Sequence, residues 1–380
     1  MVEAQAYFVT AISDLWQHNP IDARDHALHA LSIADREQDL AICCLVHGVL
    51  VNIGTYLGDH HLIRCHCEQG LVVALRSGEP TFEIFFRSHL ALANFMSGAW
   101  DEWQETSIVA LTLARRVALP RDLAYALAGR AMTLAFQGHF SAAEACAREA
   151  REVSGSGLSA DRYVLGLTDI AEAALALEQG EAAHALAVAR GFDSQLLMEG
   201  VFAGLMPAHL PIGLMLLAEA QAAAGDSAGA LETARKLLGL NAVGAPYLAA
   251  LASRAEGLAF KARGQHEAAV VCLHRSYEGF NALAMPFEAA RSLLEQAKVG
   301  GKGSIPYSQT PIEAARQSLA IFERLGARPY IEGTRRLLRG LGFSPTPTRR
   351  ARPNGCPLSE REIQVARLVA QGLTNPEIAQ

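Results

Sequence analysis

A glycine-marked turn returns at nearly constant intervals along most of this 380-residue chain, and that period constrains the fold more than any other feature. Turn signals fall at Asn19-Pro20, Gly58-Asp59, Gly98-Ala99, Gly138-His139, Gly180-Glu181, Gly225-Asp226 and Gly264-Gln265. From Gly58 onward the intervals are 40, 40, 42, 45 and 39 residues. Glycine suits the left-handed residue that closes a helix, because it has no Cβ to clash there. Five residues after four of these glycines stands an alanine: Ala143, Ala185, Ala230 and Ala269. A small side chain at a fixed place after each turn lets the second helix of a pair press against the first. Segments before the turns, such as Ala124 to Phe136 and Leu214 to Ala224, carry helical periodicity. Two helices per unit at a period near 40 predict an all-α solenoid of helical hairpins.

Composition agrees. Half the residues are apolar and 19% are charged, which excludes a disordered chain. Abundant alanine favours helices packed at close range. The net charge of -6 is too modest to point to a partner. Seven cysteines lie scattered without a disulfide-like framework, and the start Met1-Val2-Glu3-Ala4 has no basic-then-apolar leader pattern, so a cytoplasmic location is expected. Leu40 to Gly58 carries no formal charge and approaches membrane-span length, but it lies in phase with the repeat and is expected to be a solenoid helix rather than a membrane span.

The repeat is interrupted at Val299-Gly300-Gly301-Lys302-Gly303-Ser304, and a further helix pair is expected from Pro311 to about Leu341. The solenoid is thus assigned to residues 1–343. Residues 344–357, rich in Pro and Arg, have the character of a linker. Residues 358–380 open a new module. There Ser359 and Glu362 form a capping box, Gly372 stops the helix, and Thr374 with Glu377 forms a second capping box two residues later. Helices joined by so short a turn are expected to cross steeply, as in compact helix-turn-helix cores.

The hairpin units resemble tetratricopeptide repeats with lengthened loops. Residues 358–380 resemble the opening half of a LuxR-type DNA-binding domain, whose motif runs roughly L-T-x-R-E-x-E-V through G-x-T-N-x-E-I-A. Leu358, Arg361, Glu362 and Val365 match its first part, Ser359 replaces the Thr and Gln364 the second Glu. Gly372, Thr374, Asn375, Glu377, Ile378 and Ala379 match its second part. Pro376 stands where the family usually has Lys or Arg, which removes a phosphate contact. Ala320 to Tyr330, Arg335-Arg336 and Pro286 to Arg291 are similar to the final repeats of the large ATP-binding LuxR regulators. Nothing in residues 1–380 corresponds to the nucleotide-binding domain with which those proteins usually begin.

The resemblance implies a transcription regulator in which a small-molecule or protein effector binds the concave face of the solenoid. Dimerisation would then place two domains on promoter DNA. The motif residues above are helix-turn-helix scaffold; in that family the base-reading helix follows the segment that ends at Gln380 and is absent from this chain. The alternative is a tetratricopeptide-like interaction scaffold whose truncated tail does not function.

No cofactor, metal or catalytic residue is expected. Gly301-Lys302-Gly303-Ser304 lacks the spacing of a phosphate loop, with Gln296 where a glycine would be required. His60, His61, Cys65, His66 and Cys67 are the densest group of metal-ligand types, but a two-residue step on a helix sends Cys65 and Cys67 to nearly opposite sides. Glu144, Glu149 and Glu152 alternate with Arg148 and Arg151 as a solvated face with local ion pairs. No nucleophile–base–acid arrangement stands out, so enzymatic activity is not expected.

Overall fold

A computed structural model describes residues 2–155, 162–197, 206–240, 244–300 and 310–343. These hold seventeen α-helices, and no strand occurs among the described residues. Seven hairpins come first: α1 (Val2–Trp16) with α2 (Pro20–Glu37), α3 (Leu40–Leu57) with α4 (His60–Ser77), and α5 (Pro80–Ser97) with α6 (Trp100–Val117). They continue with α7 (Pro120–Phe136) and α8 (Phe140–Val153), then α9 (Arg162–Gln179) and α10 (Ala182–Leu197). A 3-10 turn, Met206–His209, leads into α11 (Leu210–Ala223) and α12 (Ser227–Gly239), followed by α13 (Pro246–Ala262) and α14 (His266–Ala282). The array ends with α15 (Pro286–Val299), α16 (Pro311–Leu325) and α17 (Arg328–Gly340). Each helix packs against the next, as expected of an all-α solenoid. The chain divides after Phe343.

Local chemistry sets these boundaries. Six helices begin on proline (Pro20, Pro80, Pro120, Pro246, Pro286 and Pro311), where its fixed φ is already helical and its missing N–H has no partner to lose. The expected turn glycines all take positive φ, from 67° at Gly58 to 83° at Gly225. The residue after the glycine does equal work in two turns. Asp59 accepts a hydrogen bond from the Leu62 amide at 2.9 Å, and Asp226 accepts one from Gly229 at 2.9 Å, so Gly-Asp ends one helix and caps the next. The four alanines five residues after the glycines are fully buried, which bears out their assigned role as the seam of each hairpin.

The apolar helix α3 has the length and hydropathy to cross a membrane, and 72% of it is buried inside the protein. It lies in the largest core, which joins α1–α5 to α11–α15. A second core is aromatic: Phe95, Trp100 and Phe136 meet Phe287, with ring centroids 4.9–5.5 Å apart, and Phe287 meets Tyr330 at 5.1 Å.

These cores join residues far apart in sequence because the hairpins wind back onto themselves. A Cβ on Gly58 would meet the Tyr247 ring, one on Gly98 would meet Pro286, and one on Gly138 would meet Pro329. Each partner lies roughly 190 residues further on, close to five repeats, at the start of α13, α15 or α17. Two polar bonds join the same levels: Tyr56 donates its hydroxyl proton to the Leu240 carbonyl and His60 Nε2 bonds the Leu283 carbonyl, both at 3.2 Å. Part of the chain's inner face is therefore covered by the protein's own later helices.

Candidate functional site

A cavity of about 650 Å³ lies at the C-terminal ends of α9, α11, α13 and α15, walled on one side by α17. Helical spacing places its side chains. Arg254, Leu258 and Lys261 form one stripe on α13; Arg291, Leu294, Glu295 and Lys298 form another on α15; Pro329, Gly333 and Arg336 form a third on α17. Glu178 of α9 and Glu219 of α11 complete the polar lining.

The floor is a buried ion network. Arg254, 1% exposed, donates from Nη2 to the Glu288 carbonyl at 2.6 Å and from Nε to the Ser292 hydroxyl at 3.2 Å. Its Nη1 pairs with the Glu288 carboxylate and lies 3.4 Å from Glu219, while its guanidinium stacks 4.7 Å from the centre of the Phe280 ring. Arg291 closes the network, donating to Glu219 at 2.6 Å and to Glu288 at 3.3 Å. Burial pushes the Glu288 carboxyl up, but Arg254 and Arg291 outweigh it and hold the group below its ordinary value. Above the floor, Glu295 receives Lys261 and Lys298, both at 2.5 Å, and these two cations likewise outweigh burial and hold its carboxyl well down.

Glu178 is the exception. Burial raises it from 4.5 to about 7, against the opposing pull of Arg291, Lys298 and the Tyr330 hydroxyl that donates to it; Glu219 adds to the rise. The folded carboxyl thus holds its proton more tightly than the unfolded one. Stability contributed by that proton is lost as pH climbs from about 4.5 to about 7, an effect on the order of 3 kcal/mol. Glu178→Gln cannot ionise and is therefore expected to be more stable than the parent at pH 8 and nearly equal to it at pH 4. Urea denaturation at the two pH values measures the gap; a gap independent of pH would contradict it.

No protein-family model and no curated protein matches the chain.

The sequence-assigned DNA-binding residues, Ser359, Glu362, Gly372, Thr374, Asn375, Glu377, Ile378 and Ala379, lie outside the described residues, as do the linker 344–357 and Gly301 to Ser304. The other sequence candidates are placed. Cys65 is exposed and Cys67 fully buried, on opposite sides of α4, and His66 turns inward to His47 with their Nδ1 atoms 3.1 Å apart. Among the described residues no group of three or more His, Cys, Asp or Glu is arranged for a metal ion. The α8 charges pair across helices rather than along one: Arg151 reaches Asp169 and Glu172 of α9, and Glu149 receives Arg115 of α6. Stacking brings these neighbouring carboxylates and guanidiniums within 2.7 Å, so the pairs tie repeats together.

The cavity residues were not singled out by sequence, although one signal was there. Glu219 is the lone charge in Leu214 to Ala224, and a charge inside so apolar a helix implies a buried partner. Its partners lie 35 and 72 residues away, on helices that only the superhelical winding brings together.

Proposed function

We propose that the chain is the effector-receiving part of a cytoplasmic transcription regulator, with the cavity as receiver and a LuxR-type module at 358–380 as output. The observation that carries this reading is the position of α17. It supplies Pro329, Tyr330, Gly333 and Arg336 to the cavity wall, and it is the last described helix before the linker and the motif. A ligand touching α17 acts directly on the element that leads to the output module. Binding that favours one packing of α17 shifts the population of output states by the ligand's differential affinity for them. Two modules on neighbouring half-sites would then gain affinity from effective concentration.

The test is a fluorescence-anisotropy titration of labelled promoter DNA, at 50 and 200 mM salt, with the full product of the reading frame that contains this chain. About six phosphate contacts predict a loss of roughly a thousandfold in affinity between the two salts. A flat salt response, together with capture of a specific protein partner, would replace this reading with the interaction scaffold.

A further inference from the structure

The charges around the cavity do not balance. Two arginines on its floor, Arg254 and Arg291, are matched by Glu219 and Glu288. Above them one carboxylate, Glu295, serves both Lys261 and Lys298. Arg336 faces the cavity from α17, is exposed, and has no ion-pair partner among the described residues. Glu178, the remaining carboxyl, is occupied by the Tyr330 hydroxyl. The upper wall therefore carries an excess of cationic groups beside apolar surface from Leu177, Leu258 and Leu294.

We infer that this cavity binds a metabolite-sized organic anion, its carboxylate or phosphate head held by Arg336, Lys298 and Lys261 and its apolar body lying against the three leucines. The cavity volume falls within the range of small-molecule sites, while eight of its seventeen lining residues are charged, a more polar lining than such sites usually have and one suited to a charged rather than a neutral ligand. A guanidinium presents a planar fork to the two oxygens of such a head, and ammonium groups add charge without geometric demand. Arg336 and Lys298 are the groups able to turn to a ligand, because both are exposed, whereas Arg254 is locked in its network.

This inference deepens the effector-receiving reading and rests on it for its biological meaning, but its test involves no DNA. The probes are 1-naphthyl phosphate, 2-naphthoate and neutral 1-naphthol, titrated calorimetrically into the chain. At least one anionic probe is expected to bind at one site per chain, tenfold or more tighter than 1-naphthol, and which anion binds tighter identifies the preferred head. Arg336→Glu should weaken that anion at least tenfold. Glu295→Gln frees Lys261 and Lys298 and should tighten it several-fold; circular dichroism establishes that both variants are folded. Equal binding of the anions and the neutral probe, or anion binding unchanged in both folded variants, overturns the inference. Anion binding without any DNA affinity would leave the inference standing and remove the regulatory reading alone.

Discussion

Replacing Gly58 by alanine is expected to destabilise the protein by about 2 to 5 kcal/mol. A left-handed backbone costs a non-glycine residue roughly 1–2 kcal/mol, and forcing an atom into a packed core costs about 1–3 kcal/mol more. Gly58 incurs both, since its φ is 67° and a Cβ would lie 2.3 Å from the buried Tyr247 ring. The same substitution at Gly78 incurs only the first cost, because its φ is 72° but nothing lies within 4 Å. Gly98 and Gly138, where a Cβ would come within 2.5 and 3.2 Å of a proline, should fall between them in that order. Denaturant midpoints of the four variants measure the series. Equal losses at Gly58 and Gly78 would mean that successive superhelical turns do not touch at the glycines.

The second large effect is at Arg254. Arg254→Ala strands Glu288 and Glu219 with only Arg291 between them, and removing one partner from a buried network costs about 3–5 kcal/mol. The desolvation of the abandoned carboxylate, more than the lost attraction, sets that cost. Arg254→Met combined with Glu288→Met removes both members of one pair and should recover much of the loss, because replacing a buried ion pair by apolar residues is often neutral. A double-mutant cycle on urea-denaturation free energies reads the coupling. Additive losses would show that Arg254 and Glu288 act independently.

The two experiments probe features that the sequence expressed very differently. The hairpins were legible because each turn is encoded within a few residues: the glycines at 58, 98, 138, 180, 225 and 264 all adopt the left-handed conformation. The pair expected from Pro311 to about Leu341 appears as α16 and α17. Most turns without glycine were silent. His18, Gln38, Ala118 and Ala284 take positive φ at comparable junctions; Asn19-Pro20 marked the first of these, but neither alanine announces its turn. Winding was silent too, since it depends on small rotations accumulated over roughly five repeats and on which side chain lies opposite a glycine in the next level. The cavity follows from the winding, so its residues could be suspected singly, as Glu219 could, but not assembled. Arg291 and Tyr330 lie on different helices, α15 and α17, and their place in one network came only from the fold.

The match of turn glycines to helix starts roughly 190 residues later also bears on how such a chain can change over time. An open array of repeats can gain or lose a unit and keep every remaining interface, because each unit meets only its neighbours. Here the insertion or deletion of one 40-residue hairpin between Gly138 and Tyr247 would shift Gly58, Gly98 and Gly138 out of step with their partners and set other side chains opposite these tight turns. The number of units between levels is thereby locked in the way a screw thread locks its pitch. Length variation is therefore expected in the loops, and the array is expected to unfold as a single body rather than hairpin by hairpin.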